Sequence, residues 1–196
     1  YDILRCLVGS EMCIRDSPCT AEDLAPLKAG DTVLLSGVVY TARDQAHKRM
    51  LEALDKGEKL PFDLEGSAIY YVGPTPERPG EIIGSAGPTT SGRMDAMSPR
   101  LLDLGNKIMI GKGKRDAAVK EAVVRNGAVY LAALGGAGAL MAQSVKTLEV
   151  IAWPDLGCEA VRRLTVEDMP LTVILDAHGG DLYLSGPEAY REAQVK

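Results

Sequence analysis

The stretch TVLLSGVVYTARDQAHKRMLEALDKG, residues 32–57, shows the folding pattern of the chain most clearly. Residues 32–40 are apolar and rich in β-branched side chains, which is typical of a buried strand. In residues 43–56 apolar side chains recur at helical spacing, and Gly57 is placed to end the helix. A strand followed at once by an amphipathic helix is the repeating unit of α/β domains, so this stretch predicts that class.

The remainder of the chain continues to alternate between strand and helix patterns. Further strands are predicted at residues 67–72, 81–85, 107–110, 128–134, 149–153 and 172–175. Helices are predicted from a capping-box pattern at Thr20 and Asp23 to Gly30, from Arg93 to Gly105, and over residues 116–125, 135–142 and 158–164. We therefore predict an α/β fold in which helices pack on a largely parallel sheet. No repeat or low-complexity linker interrupts it, so residues 18–196 are predicted to form one domain.

Residues 1–17 (YDILRCLVGSEMCIRDS) differ in character from everything that follows. Charged residues interrupt the apolar run and no basic segment precedes it, which argues against a signal peptide. The run CLVGSEMCIRDS resembles translated sequencing-adapter sequence. We therefore predict that residues 1–17 are non-native and take no part in fold or function. A natural amphipathic N-terminal helix is the alternative interpretation.

Composition and charge argue against several classes of function. Hydrophobic residues make up 46% and charged residues 25% of the 196-residue chain, the proportions of a globular domain. The net charge of −5 argues against nucleic acid as a partner, because phosphate binding needs a positive field. No apolar run approaches the roughly 20 residues that a membrane span needs. The four cysteines fit neither a zinc site nor a disulfide framework, so a reduced, cytoplasmic protein is expected. They are Cys6, Cys13, Cys19 and Cys158.

Three loops that follow predicted strands carry cations and hydroxyl groups. The first contains Arg43, the second (SAGPTTSGRMD, residues 85–95) contains Thr89, Thr90 and Arg93, and the third (GKGKR, residues 111–115) contains Lys112. In layered α/β folds such loops meet at ligand sites, and glycine N–H groups and guanidinium forks suit carboxylates. If the three loops converge, they form a pocket for a small dianionic acid.

Each loop alone has an ordinary structural explanation. A hydroxyl-rich turn is more often a helix cap than a nucleophile, and lysines such as Lys112 and Lys114 are more often solvated than ligating. His47 is better interpreted as a packing or surface histidine than as a catalytic one. His178 is either functional or a residue that holds a turn by hydrogen bonds.

Five segments, taken in their order along the chain, include these loops and together resemble a known family. They are LLSGVVYTARDQAHKRM, LPFDLEGSAIYYVGPTP, GSAGPTTSGRMD, MIGKGKRD and DAHGGDLY. In them the chain resembles the β-type catalytic domain of class I fumarases and L-tartrate dehydratases, over about residues 18–190. GPTTSGRMD is the most specific segment, and TARDQAHKR resembles the separate β subunit of two-subunit enzymes.

The resemblance implies a fold, a cofactor, a partner and a set of site residues. The fold is a layered swivelling β/β/α domain that packs on an α-type domain or subunit, so that a hetero-oligomer forms. That partner carries a [4Fe–4S] cluster on three cysteines, and this chain alone binds neither metal nor cluster. By motif position, Thr89 is the expected catalytic base and Arg93 serves catalysis and binding. Arg43, Thr90 and Lys112 complete the substrate site.

The implied activity is that of a hydro-lyase that reversibly hydrates fumarate to L-malate. Removing a proton next to a carboxylate builds up negative charge, so cations must lie close to that carboxylate. A threonine hydroxyl needs the same cations, because its pKa is too high for it to act alone. Asp95 is expected either to orient Arg93 or to begin a helix. The alternatives are a dehydratase β subunit acting on L-tartrate or another 2-hydroxy diacid, and a non-catalytic dicarboxylate-binding module.

Overall fold

The computed structural model describes residues 11–15, 18–133 and 136–194. Its strands are β1 Glu11–Arg15, β2 Thr32–Thr41, β3 Ala68–Tyr70, β4 Ile108–Gly111, β5 Val129–Ala133, β6 Val145–Ala152 and β7 Val161–Leu175. Its α-helices are α1 Ala21–Leu24, α2 Asp44–Asp55, α3 Ser98–Asp103, α4 Ala117–Asn126, α5 Gly138–Gln143 and α6 Leu182–Gln194. Two 3₁₀-helices span Ser91–Met94 and Pro154–Glu159. Strands and helices alternate, which confirms the predicted α/β class.

The seven strands form one sheet that closes on itself. Strands β1 to β5 lie side by side in sequence order, and all their pairings are parallel. The long strand β7 runs antiparallel to β2 along Arg162–Thr172, and its last residues pair antiparallel with β5. Strand β7 therefore joins β2 to β5 and closes a barrel-like ring, with β6 paired on its other side. The expectation of a largely parallel sheet is confirmed, but the sheet is barrel-like rather than an open layer.

Alternating side chains of the ring fill two hydrophobic clusters. Tyr70 of β3 packs in the first cluster with residues such as Leu35 and Leu131. Its neighbours Ile69 and Tyr71 pack in the second cluster, with α2, α3 and α4. Because both faces of these strands are buried, their sequences are continuous apolar runs rather than alternating ones.

Several predicted elements have different bounds or a different type in the structure. Residues 81–85 form bends instead of a strand, because Ser85 folds back to exchange hydrogen bonds with Thr75. The helix predicted over residues 158–164 is wrong, because the chain enters β7 at Val161. The helix predicted from Arg93 is split into the 3₁₀-helix Ser91–Met94 and α3, which begins with a proline in its first turn.

The N-terminal region departs most from the prediction. Residues 11–15 were given no place in the fold, yet Glu11–Arg15 forms β1 parallel to β2, and Ile14 is buried in the core. That residues 1–17 are non-native stays a prediction. Residues 1–10, among them Cys6, lie outside the described residues, as do Leu134 and Gly135 of the predicted strand and helix. The capping box at Thr20 and Asp23 is confirmed, although α1 ends at Leu24.

No helix of the described residues is long and apolar enough to cross a bilayer.

The segment DAHGGD after β7 is a turn built around the buried carboxylate of Asp176. One of its oxygens accepts a hydrogen bond from the N–H of Ala29 (2.8 Å), and the other accepts from those of His178 (2.9 Å) and Gly180 (2.8 Å). Burial opposes ionisation of Asp176, but these backbone donors lower its pKa below the ordinary value. The ring Nε2 of His178 lies 2.7 Å from the carbonyl oxygen of Ala25, so this histidine holds the turn.

We expect Asp176→Asn to lower the free energy of unfolding by about 1–3 kcal/mol, because an amide nitrogen cannot accept the hydrogen bond that one carboxylate oxygen now accepts. Asp55→Asn is the control, since Asp55 forms only a surface ion pair with Arg100 and should cost under about 1 kcal/mol. Urea unfolding of the two variants measures the difference. Equal stability of the two variants would contradict the role given to Asp176.

Candidate active site

All five of the predicted site residues line a single cavity of about 330 Å³. The lining consists of Arg43, Gly73, Gly87, Pro88, Thr89, Thr90, Arg93 and Lys112. Apart from the two glycines and the proline, these residues carry either a hydroxyl group or a positive charge. The three cation-bearing loops therefore meet at one cavity, which is the condition under which they could bind a small dianionic acid.

The cavity lies at the carboxyl ends of three neighbouring parallel strands. Arg43 follows the end of β2, Gly73 follows β3, and Lys112 comes directly after β4. Since adjacent parallel strands end at the same edge of a sheet, the loops that follow them are brought together. This position explains how residues distant in sequence share one pocket.

The loop that carries Thr89 and Thr90 is fixed by backbone hydrogen bonds at both ends. The N–H of Thr89 donates to the carbonyl oxygen of Tyr71 (2.8 Å), and the N–H of Ser91 donates to that of Lys112 (2.9 Å). The hydroxyl of Ser91 is buried and accepts hydrogen bonds from the N–H of Lys112 (3.0 Å) and the hydroxyl of Tyr130 (2.9 Å). Ser91 thus joins two loops, whereas Thr89 and Thr90 remain at the cavity wall.

Arg43 is the most enclosed cation of the site, with 19% of its side chain exposed. Its Nη2 lies 3.5 Å from Oε1 of Glu159 and 3.8 Å from Oδ2 of Asp44. The guanidinium fits against Gly73, where a Cβ atom would stand 2.6 Å from Nη1 of Arg43. Glu159 is not among the predicted site residues, because it lies in a segment with a helical pattern and belongs to none of the family motifs.

Arg93 and Lys112 are the exposed cations of the site. The side chain of Arg93 is 56% exposed, and its Nη1 lies 4.0 Å from Oδ2 of Asp44. Asp44 therefore stands between the two arginines. Its Oδ2 is buried and accepts no hydrogen bond from any described residue.

Asp95 forms neither an ion pair nor a side-chain hydrogen bond with Arg93. Its Oδ1 accepts a hydrogen bond from Nε of Arg115 (2.5 Å), and its Oδ2 accepts from the N–H of Asp116 (2.8 Å). Arg115 is buried between the rings of Tyr71 and Tyr130, with its guanidinium carbon 5.4 Å and 5.0 Å from their centroids. This cation fixes the GKGKR loop from inside and is not available to a ligand.

His47 is a buried, neutral histidine behind the site. Its Nδ1 donates to the carbonyl oxygen of Arg43 (3.0 Å), and its ring meets that of Tyr71 edge-on at 5.3 Å. Complete burial lowers the pKa of His47 from 6.5 to about 4, and the charge of Arg115 acts in the same direction. The interpretation of His47 as a packing histidine fits this environment.

No three His, Cys, Asp or Glu side chains of the described residues are grouped so that they could hold a metal ion. Cys19 is buried and Cys158 is exposed. A cluster that needs three cysteine ligands therefore does not fit the part of this chain that the structure describes.

The fold and the cavity define an α/β domain whose loops form a pocket lined by cations and hydroxyl groups. Comparison of sequences gives this class its family: residues 10–186 match the family described as "Fumarase C-terminus". The chain belongs to this family.

Relatives of two kinds resemble the chain. It is 39% identical over 168 residues to Fumarate hydratase 2 of Leishmania major, covering 83% of this chain but 29% of that protein. It is 42% identical over 170 residues to a protein of Methanocaldococcus jannaschii provisionally named L(+)-tartrate dehydratase subunit beta, covering 84% of this chain and 87% of the relative. For L(+)-tartrate dehydratase subunit beta of Escherichia coli, identity is 32% over 184 residues, with coverage of 91% and 90%. The chain thus spans under a third of the Leishmania fumarate hydratase and most of the two β subunits.

His47 should make the stability of the protein depend on pH. Its folded-state pKa of about 4 lies below the unfolded value of 6.5, so the unfolded chain takes up the proton first as the pH falls. Stability from this residue is therefore complete above the unfolded pKa and is lost between it and the folded pKa, by about 2 kcal/mol from pH 7 to pH 5.

Urea unfolding of the wild type and of His47→Gln at both pH values measures this contribution, because all other titrating groups are common to the two proteins. The wild type should lose more stability than the variant on acidification. Parallel losses in the two proteins would show that His47 is accessible to protons in the folded state.

Proposed function

We propose that this chain is the substrate-clamping half of a hydro-lyase that reversibly hydrates fumarate to L-malate. The observation that supports the proposal most directly is the cavity that Arg43, Arg93, Lys112 and Thr89 line together. Three cations around about 330 Å³ suit a four-carbon dicarboxylate, whose two charges need forked donors or ammonium groups. Membership of the fumarase family supports a role for all these residues in one reaction.

The cations of the site have different tasks in this proposal. Arg43 is half-enclosed and held from behind, so it fixes one substrate carboxylate in position. Arg93 and Lys112 are more exposed and lie beside Thr89 and Thr90 in the cavity wall. They stabilise the carboxylate at which charge grows when a proton leaves the adjacent carbon.

Thr89 is the proposed base. In the dehydration direction its deprotonated oxygen takes the proton from the carbon next to that carboxylate and becomes a hydroxyl group, and in hydration the hydroxyl group returns the proton. A threonine hydroxyl has too high a pKa for this step unless positive charge lies near it, which Arg93 and Lys112 supply. The hydrogen bond between the N–H of Thr89 and the carbonyl oxygen of Tyr71 fixes the backbone from which this side chain projects.

The other half of the reaction is proposed to lie in an α-type partner. By family resemblance that partner carries the [4Fe–4S] cluster, a Lewis acid for the leaving hydroxyl group. We propose a cytoplasmic hetero-oligomer in which this chain acts as a swivelling domain over the partner. Two of this chain's relatives are named as β subunits of L(+)-tartrate dehydratase, which supports an α-type partner.

The same match supports a second candidate, a dehydratase β subunit for L-tartrate or another 2-hydroxy diacid. Tartrate differs from malate by one hydroxyl group, which a few pocket contacts can distinguish. An anaerobic assay of the cluster-loaded complex with malate and tartrate side by side separates the two by their kcat/KM values. A complex with neither activity would favour a non-catalytic dicarboxylate-binding module.

Arg93→Ala should lower kcat by about 10²–10³-fold in the assembled complex, because the lost guanidinium acts on charge that appears in the transition state. Arg100→Ala is the matched control, since Arg100 has similar exposure and forms only a surface ion pair with Asp55. Co-purification with the partner should be unchanged in both variants. Near-normal turnover by Arg93→Ala would contradict the proposed site.

Thr89→Val should abolish proton removal, with a loss of about 10²–10⁴-fold in kcat, because valine has nearly the same shape but no oxygen. Thr89→Ser keeps the oxygen and should retain a substantial part of the activity. Exchange of the C3 proton of malate with solvent deuterium, followed by NMR, reports the step directly. Exchange at the wild-type rate in Thr89→Val would assign the base to another residue.

A further inference from the structure

We propose that Glu159 is a positioning residue that holds the guanidinium of Arg43 in its carboxylate-binding orientation. The inference rests on the proposed function, since it deepens the role given there to Arg43. Glu159 does not line the cavity. Its effect on the substrate therefore passes through Arg43.

The two oxygens of the Glu159 carboxylate contact different parts of the first turn of α2. Oε1 lies 3.5 Å from Nη2 of Arg43, and Oε2 accepts a hydrogen bond from the N–H of Gln45 (2.9 Å). Arg43 is the N-cap residue of α2 and gives the helix no side-chain cap. Glu159 supplies the missing acceptor from another segment, and its negative charge suits the positive end of the helix.

The segment that carries Glu159 is itself anchored, which fixes the carboxylate in space. Arg162 donates from Nη1 to the carbonyl oxygens of Cys158 and Ala160 (both 3.0 Å) and from Nη2 to that of Gly157 (2.9 Å). Asp155 forms a two-pronged ion pair with Arg49 of α2. Glu159, with 18% of its side chain exposed, is held by its backbone and has little freedom to follow Arg43 if Arg43 moves.

Without Glu159, a second carboxylate competes for the same guanidinium. Oδ2 of Asp44 lies 3.8 Å from Nη2 of Arg43, is buried and accepts no hydrogen bond from the described residues. The contact with Glu159 occupies Nη2 and leaves Nη1 beside Gly73, which lines the cavity. Loss of the Glu159 charge would let Arg43 turn toward Asp44 and take its free edge away from the ligand.

Glu159→Gln separates the two functions of the carboxylate. The amide oxygen still accepts from the N–H of Gln45, so the helix cap survives, but the charge that holds Arg43 is gone. The affinity of the assembled complex for succinate, a four-carbon dicarboxylate that cannot react, should fall about tenfold. In turnover, KM should rise more than kcat falls, because Arg43 binds the substrate in ground state and transition state alike.

Asp103→Asn is the charge-matched control, because Asp103 pairs with Arg125 at an exposed position and does not line the cavity. It should leave succinate affinity unchanged. The decisive comparison is a double-mutant cycle measured by calorimetry. In an Arg43→Ala background, Glu159→Gln should cause no further loss of affinity.

Each outcome points to one conclusion. Equal losses from Glu159→Gln with and without Arg43 would overturn the proposal, since Glu159 would then act through the fold. Reduced affinity in Arg43→Ala with normal affinity in Glu159→Gln would also overturn it, but would leave the proposed function intact. Unchanged affinity in Arg43→Ala itself would instead refute the site assignment on which the inference rests.

Discussion

The antiparallel pairing of β7 with β2 is the interaction on which the rest of the structure depends. Along this ladder a single long strand ties the first unit of the chain to the last, and the end of β7 closes the ring on β5. Both flanks of β7 then acquire defined positions. Glu159, just before β7, accepts a hydrogen bond from the first turn of α2. Asp176, just after β7, accepts one from Ala29, close to the start of β2.

Close packing between glycines and hydroxyl groups holds the loops of this sheet together at the cavity. A Cβ atom at Gly111 would collide with the hydroxyl of Ser91, the atom that joins the loops after β3 and β4. The same logic applies to Gly138, where a side chain would strike Ser85. Glycine therefore lets these loops approach closely enough to share hydrogen bonds.

Local patterns predicted much of this structure because their causes are local. The run at β2, the amphipathic face of α2 and the capping box at Thr20 each express a preference contained within a few residues. The five residues that line the cavity were predicted because each lies in a motif of the family that the chain resembles, although the strand expected before Thr89, Thr90 and Arg93 does not form. The predictions that were wrong concern segments whose partners are distant in sequence. Val161 begins a strand, where a helix was predicted, because β2 and β6 lie on either side of it. The contacts of Arg115 and Glu159 were not predicted for the same reason, because their partners are distant in sequence.

Gly73 illustrates how narrowly this site can diversify. A single methyl group there would meet the guanidinium of Arg43 on one side and the carbonyl oxygen of Cys158 on the other. Two segments from opposite ends of the chain thus share one point where no atom can be added. Thr90, Arg93 and Lys112, by contrast, are exposed at the open side of the cavity. Substitutions that change the ligand preference of this cavity should therefore be tolerated better at these exposed positions than at Gly73.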